Sequence, residues 1–165
     1  MEKTKSGAMR RQLHGPTGRL AVLLACAWLA LAPPAFAQRA EPDYQPRTGD
    51  AWLDRHLADI NLYAARYPQS FADEISRYYS VPRDYVEAMQ QQPSWEAGDI
   101  FMACALAQAL AQPCRAVVRE WSNDHSEGWK GVGQRLQSGR GPALKRKLRK
   151  DVEQTYSRWA RPLEK

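Results

Sequence analysis

Histidine and cysteine are both scarce in this chain, with three of each in 165 residues. The patterns that usually carry their chemistry are missing. There is no H-E-x-x-H, no G-x-S-x-G, no C-x-x-C and no phosphate-binding glycine loop. That leaves no recognisable zinc protease, esterase, thioredoxin-type redox or nucleotide site, and nothing that calls for a cofactor. Alternating apolar and polar runs, the signature of a half-buried strand, are absent too, and no internal repeat occurs. The longest uncharged apolar run, residues 20–32, stops at Pro33. It is too short to cross a bilayer, which needs roughly 20 apolar residues.

What that run has instead is a context. Lys3, Lys5, Arg10, Arg11 and Arg19 precede it, and PPAFAQ follows it. Ala35 and Ala37 flank Phe36 in the A-x-A pattern, with Gln38 next. A basic lead-in, an apolar core and a small-residue site together predict a secretory signal peptide, residues 1–37, cut after Ala37. The lead-in is long, which makes Met9 a candidate start in place of Met1. LLAC, ending at Cys26, resembles a lipoprotein cleavage box. Its apolar core would be only about six residues, against the usual 7–15, so simple export is the expectation. The signal has a bacterial form, and the periplasm is the expected destination.

Cleavage changes the charge picture. The chain's 24 cations fall by five to 19 and its 18 anions by one to 17, so much of the basicity belongs to the signal. The remainder is uneven: residues 140–165 hold nine cations and three anions. GPALKRKLRKD concentrates them, with Lys145, Arg146, Lys147, Arg149 and Lys150 close together and Arg140 just upstream. Such a block is either the wet side of a helix or a surface for an anionic partner such as lipid headgroups.

Helical periodicity fills the rest. Residues 38–48 hold two prolines and no period, and predict a flexible lead. From 49 to 165 a single all-α domain of six to seven short helices is expected. Asp50 stands as an N-cap before Leu53, Leu57, Ile60, Tyr63, Ala64 and Tyr67. Ser70, with Asp73 three positions on, predicts a capped second helix burying Phe71, Ile75, Tyr78 and Tyr79. Pro82 opens a third helix. Asp99 is placed to cap a nearly all-apolar central helix, about 99–111, of the kind found inside a bundle. Pro113 opens a fifth helix with Cys114, Val117, Val118 and Trp121 on one stripe. A weak sixth presents Trp129, Val132 and Leu136. In the last, Leu144, Leu148, Val152, Tyr156 and Trp159 recur between Pro142 and Pro162. On that helix Arg146, Lys147 and Lys150 face away from the stripe, and Lys145 and Arg149 fall at its edge.

Cys104 and Cys114 form an even pair in an oxidising compartment, which favours a disulfide. A simple helical hairpin would instead set Cys114 opposite a residue near 109, and a bridge needs Cα atoms within about 7 Å. The sequence leaves both alternatives open.

Candidate chemistry is thin. His56 shares a helix face with Asp59, a pair too small to fill a metal shell. NDHSE offers Asp124, His125, Ser126 and Glu127, but Asn, Asp and Ser clusters generally mark caps and turns. RAVVREWSNDHSEGWKGVGQRL has the outline of a helix-turn-helix with too long a connector, and export removes the nucleic acid. The expected function is therefore a non-enzymatic exported module that binds an envelope protein or itself. Binding of anionic envelope lipid through the basic helix is the alternative, and a metal-dependent enzyme at residues 123–127 is the third.

Overall fold

The computed structural model describes residues 44–136 and 141–163. Ala35, Ala37, Gln38, Cys26 and Arg140 lie outside the described residues. Within them the domain is all-α, with seven helices: α1 Ala51–Arg66, α2 Pro68–Tyr79, α3 Arg83–Gln90, α4 Ala97–Ala109, α5 Cys114–Asn123, α6 Gly128–Leu136 and α7 Gly141–Arg158.

α4 is the axis of the bundle. Every residue from Gly98 to Ala107 is buried, and α1, α2, α3, α5 and α7 all pack against it. A helix apolar on all sides can be satisfied only by such a jacket. Gly98 sets how close the jacket comes. A Cβ there would lie 2.6 Å from the Leu57 carbonyl oxygen and 2.7 Å from the Tyr44 hydroxyl, so no side chain fits between α1 and α4 at this level. The Gly98 N–H donates to Asn61 Oδ1 at 2.6 Å, tying the helix start to α1.

Asp50 caps α1 as its sequence position suggests, accepting from the Trp52 and Leu53 N–H groups. Leu53, Leu57, Ile60 and Ala64 form the buried stripe. Full burial of each large aliphatic side chain contributes about 1.5–3 kcal/mol.

Several expectations change. Asp99 is not a cap. α4 starts two residues earlier, at Ala97, and Asp99 is buried within its first turn. α2 starts at Pro68, with Tyr67 alone separating it from α1, and Ser70 and Asp73 form no capping box. Tyr78 is 41% exposed, and Arg158 reaches across from α7 to lay its guanidinium 3.8 Å from the ring centroid. The same arginine pairs with Glu74, a carboxylate that is buried on α2. Tyr67 is exposed as well.

The described part of the lead, residues 44–48, is irregular but pinned. The carbonyls of Pro46 and Arg47 accept from the Trp129 and Lys130 N–H groups, each at 2.9 Å. Gly128 makes this possible: its φ is +65°, and a Cβ there would meet the Pro46 carbonyl oxygen at 2.6 Å.

The two cysteines are bridged, with Cα atoms 4.5 Å apart. The hairpin alternative fails because α4 ends at Ala109, not 111, and the chain then doubles back. Ala111 sits in the left-handed region at φ +55°. The Gln112 N–H returns to the Ala107 carbonyl and the Ala111 N–H to that of Gln108. This is a Schellman ending. It sends residues 110–113 back along the last turn and delivers Cys114 beside Cys104. α7 ends the same way, with Ala160 at φ +52° and the Arg161 N–H on the Tyr156 carbonyl.

Candidate functional site

The basic block is only partly free. Arg149 grips Asp50 with two bonds, Nε to Oδ2 at 2.8 Å and an Nη to Oδ1 at 2.7 Å. Lys145 reaches the same carboxylate at 3.2 Å. Burial alone would raise the Asp50 pKa, but the hydrogen bonds from Arg149, Lys145 and the Trp52 N–H outweigh it and hold the group down at about 2. Lys147 pairs with Asp151 one turn along α7, a carboxylate that is itself buried. Two of the five cations thus hold α7 to the cap of α1, and a third is paired within α7. Arg146 and Lys150, both exposed, have no ion-pair partner among the described residues.

NDHSE is a connector with internal bonding. Asp124 accepts from the Ser126 N–H and hydroxyl at 3.0 and 2.7 Å, and these bonds lower its pKa. His125 Nδ1 lies 2.9 Å from the Trp121 carbonyl oxygen, and its ring stacks on Trp121. Asp124 and His125 are therefore turn and stacking residues. His56 is buried between α1 and α7, with Nδ1 2.7 Å from the Trp52 carbonyl oxygen. Its ring lies against Trp52 and edge-on to Tyr156. Among the described residues, no three His, Cys, Asp or Glu side chains gather as a metal would need.

A different place stands out. Where α1 ends, α2 begins and α7 finishes, the surface forms a groove of about 590 Å³. The stacked rings of Tyr63 and Trp159, 3.8 Å between centroids, line it. Leu62 and Tyr67 stand in it 52% and 45% exposed. Arg161 lies near the Tyr63 and Tyr156 rings and pairs with Asp59 at 2.7 Å. Asp59 also accepts from the Tyr156 hydroxyl. With Arg161 balanced by Asp59, Arg66 leaves the groove a net positive charge. Arg66 touches the Tyr67 ring face and has no ion-pair partner among the described residues.

The helix periodicity places Tyr63, Tyr67 and Trp159 correctly but marks all three as core. The available signal was the Tyr67–Pro68 break, which ends α1 and leaves its last aromatics without a covering turn. Tyrosine, tryptophan and arginine are the residue types that dominate protein–protein hot spots, and here they surround an exposed leucine.

Fold and site together define a disulfide-bridged seven-helix domain with an aromatic–arginine groove at one end. No protein-family model, curated protein or solved structure matches the chain.

Proposed function

We propose that this is an exported, non-enzymatic interaction module whose groove at the α1/α2/α7 junction docks a segment of another envelope protein. The single observation that carries the reading is the groove itself. It holds an exposed Leu62 and Tyr67 beside a rigid Tyr63–Trp159 stack, with an unbalanced Arg66 at its edge. The complementary partner segment presents an apolar anchor next to an acidic residue. Export is supported by the basic, apolar and A-x-A sequence of residues 1–37. It is supported further by the Cys104–Cys114 bridge, since such bridges persist mainly in oxidising compartments.

The test is co-purification from cells under native conditions, with the unaltered protein beside Leu62→Glu and Tyr67→Ala. Both positions are exposed, so both variants keep the fold. Loss of a specific co-purifying protein in both variants supports the reading. A partner retained by both, or a protein recovered alone in every case, counts against it. Co-purification of differently tagged copies of this chain, lost in the same variants, would identify the partner as a second copy.

A further inference from the structure

A second opening lies at the other end of α1, about 15 Å from the groove at 1.5 Å per residue. It is a cleft of about 550 Å³ between α1, α4, α6 and the start of α7, a size typical of small-ligand sites. Leu53, Met102, Leu106 and Trp129 form its floor, and Leu144 and Leu148 one wall. Its mouth is cationic. Asp50 lies at the edge, but its carboxylate is covered by the Arg149 fork. Lys145 gives that carboxylate one contact and keeps further donors, and Lys130 has no ion-pair partner among the described residues. Two lysines thus lie among the described lining residues of an apolar cleft, and the one carboxylate among them, Asp50, is paired.

Gly133 supplies an independent observation. Glycine inside a helix is destabilising against alanine and is usually kept for a positive φ or a close neighbour. Gly133 has neither: it is helical, and a Cβ built on it meets nothing within 4 Å. It lines the cleft, and the position a Cβ would take there is open space.

We propose that this cleft binds a free single-chain amphipathic anion, an acyl carboxylate, with its chain on the Leu53–Leu106–Trp129 floor and its head group between Lys130 and Lys145. Burial of the chain's methylenes supplies affinity, and the two lysines select the sign of the head. This site is separate from the groove, and its failure leaves the docking reading intact.

The test is calorimetric titration of the purified protein, expressed with its full N-terminal segment, using dodecanoate below its micelle-forming concentration. Dodecyltrimethylammonium is the charge control. Dodecanoate is expected to bind one to one and the cation at least about tenfold more weakly. Lys130→Glu is expected to weaken dodecanoate binding about tenfold, or about 1.4 kcal/mol. Gly133→Leu, which meets no steric bar, is expected to abolish binding while raising the melting temperature. That second readout separates a plugged cleft from a damaged fold. Absence of dodecanoate binding, equal binding of the two head groups, or binding indifferent to both substitutions overturns the proposal. So does co-sedimentation with phosphatidylglycerol vesicles that Lys130→Glu removes, because the ligand would then be a lipid surface and not a free chain.

Discussion

Arg149 and Asp50, 99 residues apart, form a two-bonded ion pair that fastens the last helix to the cap of the first. One carboxylate thereby does two jobs: it closes the N-terminus of α1 and anchors the middle of α7. Arg149 also lies 5.2 Å from the Trp52 ring centroid, so its position is fixed from two directions.

The pair gives the stability a pH signature. A carboxylate whose folded pKa is lowered stabilises the fold above its unfolded value of about 3.9 and loses that contribution as pH falls through the folded one. For Asp50 the window runs from about pH 4 to about pH 2. Arg149→Met is expected to destabilise the fold at pH 7, by less than the full linkage value because the Arg149 side chain is solvent-exposed. The difference from the unaltered protein should shrink through that window. Arg146→Met should cost little at any pH. Denaturant unfolding from pH 2 to 7 measures both. An equal loss in the two variants would contradict the anchoring role.

Asp99 makes a contrasting case. Its Oδ1 accepts from Trp129 Nε1 at 2.7 Å and from the Tyr44 hydroxyl at 2.9 Å. Burial raises its pKa against the opposing effect of these two bonds, so ionisation above the ordinary carboxylate range weakens the fold. Asp99→Asn keeps an acceptor oxygen and removes the charge, and is expected to be neutral or mildly stabilising at pH 7. Asp99→Leu orphans two donors and is expected to cost about 2–4 kcal/mol. Thermal melts of the two variants at pH 7 distinguish a hydrogen-bond role from a charge role.

The Cys104–Cys114 bridge closes a short loop, and replacing both cysteines with alanine should cost about 2–3 kcal/mol. Cys104 is buried, so reduction under native conditions should be slow and should speed up in mild denaturant. Mass spectrometry of alkylated thiols follows this directly. Free thiols in the freshly purified, untreated protein would contradict the bridge.

Two small substitutions should have opposite signs. Ala111 occupies a left-handed position, which costs a non-glycine residue about 1–2 kcal/mol, so Ala111→Gly is expected to gain up to about 1 kcal/mol. Gly98→Ala adds a better helix former but drives a Cβ into the Leu57 carbonyl. It is expected to lose at least about 2 kcal/mol by overpacking. Chemical denaturation of both variants gives the two signs.

The order of the helices was legible because local signals agree. Asp50 precedes a clean apolar stripe, Pro68 marks the end of the first helix, Pro82, Pro113 and Pro142 punctuate helix starts, and α4 has no polar face to expose. Long-range events were not legible. Asp99 has the look of a cap, yet Trp129 and Tyr44 arrive from 30 and 55 residues away to bury it. Tyr78 fits the apolar stripe of α2, yet Arg158 from α7 covers it at the surface. The cysteine pairing turned on one left-handed alanine, a position where sequence normally shows glycine. KRKLRK was recognisable as the wet side of an amphipathic helix. That Lys145 and Arg149 are committed to Asp50 depends on tertiary packing and on side-chain reach, whereas the Lys147–Asp151 pair is an i,i+4 contact within α7. The groove was hidden for a related reason: it arises where three helix ends meet, and periodicity describes helix faces.

The docking claim is tested most directly by photocrosslinking in living cells from a benzophenone side chain placed at position 62, with position 119 as the control. Arg119 is exposed on α5, which packs on α4 and α6. A discrete crosslinked species from position 62, absent from position 119 and lost when Tyr67→Ala is added, is the predicted result. No crosslink from position 62, or the same species from both positions, would contradict it.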